Sequence, residues 1–348
     1  MVLPDSYTTA LLVTILSMLC WGSWANTCKL AGKWRFELYY YDYALGVLIA
    51  ALVAAFTFGS LGFDGFLFSD DLLRAGKRNM AYCFGAGVIF NLANMLLVAA
   101  ISVAGLAVAF PVGMGLALVI GVIWTYILRP QGNPTLLLAG VGIVVVAMVM
   151  AALAYRARNL VQVKRDTKAG KTKSVIPKVS WKGIVLSLVA GLPMGSFYPL
   201  LDTGRRGDMG LGPYALAVIF ALGVFFSTFV FNLFFMNLPV KGEPVEVLDY
   251  LRGTLRQHLL GLAGGVIWTT GTISSFVAAS ASGEVQVGPA VSSALGQGAT
   301  VVAALWGLLV WKEFSEADGR VKLLLVLMLV SFAAGLGLVS VAPLYAAR

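Results

Sequence analysis

Apolar runs of about 20 residues recur along the whole chain, and they constrain its fold more than any other feature. A helix needs about 20 mostly apolar residues to cross a bilayer, and on that measure the sequence predicts about ten spans. They cover residues 7–27, 38–59, 78–101, 105–128, 135–155, 181–203, 213–238, 258–280, 286–311 and 321–342. Only 12% of the residues are charged, against about 25% in a typical soluble domain. We therefore expect an all-α, multi-pass membrane protein.

An internal repeat links two parts of this pattern. Residues 84–115 and 262–293 align at one constant offset over about 25 positions, which is typical of a duplicated transporter. The offset pairs Gly87 with Gly265, Phe90 with Trp268, Asn91 with Thr269, Asn94 with Thr272 and Pro111 with Pro289. The sequence therefore predicts two copies of one helical unit.

Lysine and arginine are distributed unevenly between alternate loops. Most of the 25 basic residues lie in loops on one side, with the largest group at residues 156–180. Because cytoplasmic loops are the richer in these residues, both termini are predicted to face outward. Residues 1–155 and 181–348 then form two five-helix repeats of opposite topology, an inverted repeat, joined by a basic cytoplasmic linker at 156–180. This location assigns the net charge of +9 to contacts with the lipid bilayer and not to a nucleic-acid partner.

The linker contains Gly170-Lys171-Thr172, which matches the end of a phosphate-binding loop. That motif also needs a glycine five positions earlier, where this chain has Arg165, and a preceding strand. We therefore predict no nucleotide cofactor. Cys20, Cys28 and Cys83 lack metal-ligand spacing and are expected to be buried small side chains, so no metal site is predicted either.

Four polar residues matched by the repeat are predicted near the middle of the membrane. Within each helix they are three positions apart and share a face: Asn91 and Asn94 in one, Thr269 and Thr272 in the other. Polar side chains at that depth need a partner, water or a solute. Either they bond across helices and hold the bundle together, or they line a cavity that binds a polar substrate.

Aromatic residues supply further candidates for the cavity wall, although such residues also pack between helices or face lipid. A shorter echo between Gly22-Ser23-Trp24 and Gly195-Ser196-Phe197 suggests close helix approach, with two aromatic rings closing over the cavity. Together with the four polar residues, the candidate substrate-binding set is Phe90, Trp268, Trp24, Asn26, Phe197, Tyr198 and Gln297.

Prolines and glycines interrupt matching helices in the two halves. Pro111 and Pro289 each free an upstream carbonyl, and Gly113 and Gly288 lie nearby. We predict that both helices bend or unwind there, as at the binding site of a transporter. A tolerated packing kink is the alternative.

No acidic or basic residue is predicted at the middle of the membrane, which favours a neutral, hydrogen-bonding solute. Asp42 and Glu37 lie nearest to it, and Asp42 enters the apolar region by a turn or two. A carboxylate there is a candidate carrier of a coupling proton, or else it caps the helix at the interface. His258, the only histidine, is expected to be merely interfacial. No catalytic constellation is evident, so the chain is not expected to be an enzyme.

The five-plus-five plan resembles the drug/metabolite transporter superfamily. Within it, residues 34–43 (WRFELYYYDY), 56–59, 85–111 and 305–314 resemble the ureide permeases. Residues 181–186 and the helix end at Lys312-Glu313 are also similar to the rhamnose–proton symporter and glucose/ribose porter group. The resemblance implies proton-linked uptake of a ureide, a nucleobase-like compound or a sugar.

The sequence thus favours a secondary active transporter in the plasma (inner) membrane. It would move a small-molecule substrate by alternating access, with a proton as coupling ion in symport. A multidrug or metabolite exporter of the same superfamily is one alternative. A channel or non-transporting membrane sensor is an alternative of another class. The sequence makes no prediction of oligomeric state.

Overall fold

The computed structural model describes residues 1–62, 65–128, 133–168, 181–240, 242–281, 285, 287, 289–315 and 317–345. These residues form helices and connecting turns, with no strand among them. The helices are α1 (Tyr7–Ser23), α2 (Asn26–Leu30), α3 (Phe36–Phe56), α4 (Phe68–Arg74), α5 (Lys77–Ala104), α6 (Leu106–Leu128), α7 (Pro134–Lys168), α8 (Lys182–Gly204), α9 (Pro213–Asn237), α10 (Leu248–Leu251), α11 (Leu255–Ala279), α12 (Pro289–Leu305) and α13 (Gly319–Val341). A π-helical turn, Trp306–Val310, continues α12, and a 3-10 turn, Ala342–Leu344, follows α13.

Each of the ten predicted membrane spans corresponds to a helical segment, and nine of these segments are long helices. Nine segments of the described chain are long and apolar enough to cross a bilayer, and the shorter apolar segment Leu295–Val310 occupies the ninth predicted position. The short helix α2 continues the first of these segments, Tyr7–Leu30, whereas α4 and α10 lie in loops between spans. The all-α membrane fold is confirmed.

The segment that follows the fifth predicted span is partly helical. We expected the span to end near Tyr155 and a linker to begin at residue 156. Instead α7 continues to Lys168, because the added residues are mostly good helix formers such as Arg, Ala, Leu, Gln and Lys. Residues 169–180, the rest of the predicted linker, lie outside the described residues.

The expected unwinding at Pro111 is not observed. Pro111 and Gly113 lie inside α6, which runs without interruption from Leu106 to Leu128. Near the start of a helix a proline removes a single hydrogen bond, and its fixed φ suits the helix. The break falls instead at Gly105, whose φ of +84° separates α5 from α6. Pro289 is the first residue of α12, a position that proline favours, and Gly288 lies outside the described residues.

The contacts between helices follow a two-fold pattern. Each large contact has a counterpart in which every helix is replaced by its equivalent in the other half. α5 packs on α8 and α9, as α11 packs on α1 and α3. Likewise α6 packs on α8 and α7, as α12 packs on α1 and α13. The remaining large contacts join the equivalent helices α3 and α9, α6 and α12, and α7 and α13.

Two close helix crossings at glycine follow the same two-fold pattern. Gly87 of α5 meets Gly223 of α9, and Gly46 of α3 meets Gly265 of α11. A Cβ on any of the four would collide with a backbone carbonyl oxygen of the facing helix. Gly87 and Gly265 are partners in the sequence repeat, so the same close approach occurs twice, each time between a helix of one half and a helix of the other.

Candidate functional site

An aromatic cluster lies between the two halves of the bundle. The rings of Phe90 and Trp268 are stacked, with centroids 4.4 Å apart and planes inclined by 29°. Phe197 lies 5.3 Å from Phe90, and Phe220 lies 5.4 Å from Phe90 and 6.0 Å from Trp268. Two residues that the repeat pairs are therefore in direct contact. Phe220 was not predicted, because nothing in α9 distinguishes it from the other phenylalanines of that helix.

Asn94 faces a group of buried tyrosines on α3. Its Nδ2 donates to the hydroxyls of Tyr40 at 3.0 Å and Tyr43 at 3.1 Å. Trp24 packs on Tyr43 with centroids 4.9 Å apart. Phe197 stands in the same relation to Phe220, at 6.1 Å. The half that carries Asn94 is thus lined by hydroxyls, whereas its counterpart is lined by phenyl rings.

Asn91 is fully buried and only half satisfied. Its Nδ2 donates to Ser227 Oγ at 2.8 Å and Thr228 Oγ1 at 3.1 Å, which ties α5 to α9. Its Oδ1 has no hydrogen-bond partner in the described part of the chain. Leaving a buried acceptor unpaired costs about 1–3 kcal/mol, so this oxygen is suited to accept a hydrogen bond from water or a solute.

The two matched threonines bind neighbouring helices. Thr272 Oγ1 donates to the carbonyl of Trp268 at 3.1 Å and accepts from Trp21 Nε1 at 3.0 Å. Thr269 Oγ1 makes a long contact of 3.4 Å with the carbonyl of Val47. These contacts join α11 to α1 and α3.

The other candidate substrate residues are not part of the aromatic cluster. Asn26 is the first residue of α2, and its Oδ1 accepts from Trp311 Nε1 at 2.6 Å. Tyr198 is 51% exposed, and its ring contacts only Phe197 of the cluster, edge to face with centroids 6.4 Å apart. Gln297 is half-buried on α12, and its Oε1 has no partner among the described residues.

Asp42 forms a polar cluster with residues far along the chain. Tyr250 donates its hydroxyl to Oδ1 at 2.5 Å, and Nδ1 of His258 lies 2.9 Å from Oδ2. The imidazole contacts Trp34 and Tyr250 edge to face, with centroids 4.7 Å away in both cases. His258 is therefore a direct partner of the buried carboxylate and not a residue of the interface alone.

Tyr250 is held in its donor form. Burial is the main cause that raises the pKa of Tyr250 well above its ordinary value, and the hydrogen bond to the Asp42 carboxylate raises it further. The phenol therefore keeps its proton at physiological pH and donates to the carboxylate throughout that range.

Glu37 has a different environment from Asp42. Its fully buried carboxylate accepts from Arg35 through both oxygens, at 3.1 and 2.8 Å. Asn232 donates to the backbone carbonyl of Glu37 at 2.6 Å, which joins α3 to α9. The charge of Glu37 is thus neutralised by Arg35, the residue just before its own helix.

An ion pair joins the two halves on the side that carries the basic loops. We call Lys29, Glu313 and the first turn of α6 the latch. Lys29 pairs with Glu313, whose two carboxylate oxygens accept from the backbone N–H groups of Leu106 at 3.0 Å and Ala107 at 2.9 Å. A carboxylate at this helix N-terminus is stabilised by the unpaired N–H groups there. Gly105 allows the approach, since a Cβ on it would lie 2.7 Å from Glu313 Oε2.

Comparison with known proteins shows which proteins this chain is similar to. Residues 39–178 match the family model "Ureide permease". Ureide permease 4 of Arabidopsis thaliana is 24% identical over 97% of this chain and 98% of its own length. Ureide permease 5 of the same plant is 24% identical over 94% and 93%, respectively. Probable ureide permease A3 of Vigna unguiculata is 22% identical over 81% and 91%. The resemblance to the ureide permease family is confirmed.

A solved structure described only as "Crystal structure of protein" has the same fold. It aligns with a TM-score of 0.52 at 16% identity and covers 95% of this chain and 99% of that one. The likeness to ureide permeases agrees with the long apolar helices and supports a multi-pass membrane protein. The segment matched by the ureide permease model contains Asp42, Phe90, Asn91 and Asn94, whereas His258 and Trp268 lie beyond it.

Proposed function

We propose that this protein is a secondary active transporter that carries a ureide, or a similar small neutral solute, across the plasma (inner) membrane. Its full-length similarity to ureide permeases supports this most strongly. The chemistry of the centre agrees with it. Ureides combine flat rings with amide N–H and C=O groups, and the stacked Phe90 and Trp268 lie on the same helices as Asn91, Asn94 and Thr272.

We propose further that the two halves are inverted repeats that rock about the aromatic cluster. The exchange of helix contacts supports this, and so does the matched pair of glycine crossings between the halves. Direct contact between the matched residues Phe90 and Trp268 is what a two-fold axis passing between them requires. Alternating access would then open the bundle on one side of these rings and close it on the other.

Coupling to protons is assigned to Asp42 in this proposal. The carboxylate is buried one to two turns inside α3, and a hydroxyl and an imidazole contact it from outside that helix. Intramembrane ionisable residues commonly mark ion pathways. Glu37, the other candidate, is already paired through both oxygens with Arg35 and is assigned a structural role.

The proposal is tested by uptake into proteoliposomes that contain the purified protein. With an inward proton gradient, we expect saturable accumulation of labelled allantoin that collapses when a protonophore is added. Rhamnose and ribose in excess should compete weakly. Flux that rises linearly with allantoin concentration would instead support a channel, and preferred transport of a charged solute would contradict the neutral substrate.

A further inference from the structure

The imidazole of His258 lies between the buried carboxylate of Asp42 and the loop before α11. Nδ1 contacts Asp42 Oδ2 at 2.9 Å. The opposite edge of the ring faces Gly253, where a Cβ would lie only 2.7 Å from Nε2. The side chain of Asp42 is 3% exposed and that of His258 is 23% exposed. Of the two groups, the imidazole is therefore the one that reaches the surface of the protein.

We infer that Asp42 and His258 form one proton relay, in which the histidine transfers the coupling proton between the carboxylate and the side of the basic loops. The inference rests on the proposed proton-linked transport and adds a second residue to its proton site. A proton from water binds Nε2, and the proton on Nδ1 passes to Oδ2 of Asp42. The imidazole is left neutral with its hydrogen on Nε2. The reverse transfers release the proton to water, and no other reactant is needed.

The relay also joins the two halves, which gives proton binding a mechanical consequence. Asp42 belongs to α3 in the first half, whereas His258 belongs to α11 and Tyr250 to α10 in the second. An ionised carboxylate in this buried position needs both hydrogen bonds, because an unpaired buried charge costs several kcal/mol. Once Asp42 is protonated, that need ends and the contact between α3 and α11 weakens. Proton occupancy and the relative position of the halves are thereby linked.

The other ionisable groups nearby leave Asp42 and His258 as the pair that can take up and release a proton. The other ionisable groups around it are Tyr39 on α3, Tyr250 on α10, Cys28 on α2, and the Arg35–Glu37 and Arg252–Asp249 ion pairs. Tyr250 keeps its proton, as described above. Both ion pairs hold their carboxylates against arginine, and Asp249 and Arg252 lie at the surface. Asp249, which lies beside Tyr250 in α10, therefore offers a matched control.

A single histidine allows the pair to be observed directly. The protein can be purified through an affinity tag that contains no histidine and labelled with ¹⁵N-histidine, so that one imidazole signal reports on His258. Because Nδ1 contacts the carboxylate directly, Asp42→Asn should change the ¹⁵N chemical shift of Nδ1. Asp249→Asn should leave that shift unchanged. Equal Nδ1 shifts in Asp42→Asn and the unsubstituted protein would overturn the relay.

Transport of allantoin provides the second readout. His258→Gln and Asp42→Asn should each reduce gradient-driven accumulation about tenfold or more, while equilibrium exchange stays within about twofold. The double variant should be no worse than either single variant, because the two residues act as a unit. Tyr250→Phe should give an intermediate loss and serves as the variant that least disturbs folding.

The outcomes separate the relay from the proposed function. If the unsubstituted protein neither exchanges nor accumulates allantoin, the proposed substrate is wrong, and the Nδ1 signal of the Asp42→Asn variant still decides whether the two residues are in contact. If the unsubstituted protein accumulates allantoin and His258→Gln accumulates it equally well, the relay is wrong and the pair only joins α3 to α11. If Tyr250→Phe loses both exchange and accumulation, the relay is likewise wrong, and the cluster has only a structural role.

Discussion

At the scale of single residues, Asn91 is the most informative member of the candidate site. One end of its amide joins α5 to α9, and the other end is a buried acceptor with no partner among the described residues. Its neighbour Asn94 is oriented towards two tyrosine hydroxyls instead. The two asparagines, three positions apart, thus present their amide groups to different helices.

We predict that Asn91→Leu lowers the affinity for allantoin about tenfold, which corresponds to one hydrogen bond of about 1.4 kcal/mol. Calorimetric titration of the purified protein measures the change. A matched control, Ser227→Ala with Thr228→Val, removes the partners on α9 and keeps Oδ1. That control should lower thermal stability while leaving affinity intact. Unchanged affinity in Asn91→Leu, with lower stability in both variants, would mean that the residue only holds the bundle together.

The sequence predicted several of these residues but not their partners. The repeat identified Phe90, Trp268, Asn91, Asn94, Thr269 and Thr272 because matched positions share depth in the membrane. Tyr40, Tyr43, Ser227 and Phe220 were missed, because their contacts depend on how each helix is rotated about its axis. Hydropathy contains little of that information when a span is apolar on every face. The pairing of Asp42 with His258 was missed for the same reason.

At the scale of helices, close approach at glycine determines how the halves fit together. A Cβ on Gly87 would collide with the carbonyl of Phe220, and the exchange-related Gly265 has the same relation to α3. Span positions followed from hydropathy, whereas these crossings did not, because a glycine at an interface and one facing lipid look alike in sequence. Gly85, two residues from Gly87, has no described atom within 4 Å of an added Cβ.

We predict that Gly87→Ala and Gly265→Ala each destabilise the protein by about 1–3 kcal/mol, the usual cost of overpacking. Gly85→Ala on the same helix should be neutral or slightly stabilising, since alanine favours helix over glycine by about 0.5–1 kcal/mol. Thermal unfolding in detergent compares the three variants. Equal melting temperatures for Gly85→Ala and Gly87→Ala would show that α5 and α9 are not in close contact at this point.

At the scale of the whole molecule, the latch and the relay both join the first half to the second on the side of the basic loops. Lys29 and the first turn of α6 belong to the first half, and Glu313 follows α12 in the second. Asp42 and His258 make the other connection. Alternating access in this fold requires both connections to separate when the bundle opens on that side. The latch is purely an ion pair and helix cap, so it can be locked without disturbing the proton site.

We predict that locking the latch stops transport but not binding. Lys29→Cys with Glu313→Cys, in a background where the three native cysteines are replaced, can be joined by a short thiol-reactive cross-linker with a cleavable disulfide. Cross-linked protein should bind allantoin yet lose nearly all uptake into proteoliposomes, and reduction should restore it. Each single-cysteine variant treated alike controls for the reagent and for loss of the ion pair. Uptake that persists in fully cross-linked protein would mean that the halves do not separate at Glu313, and that the substrate leaves the bundle by another route.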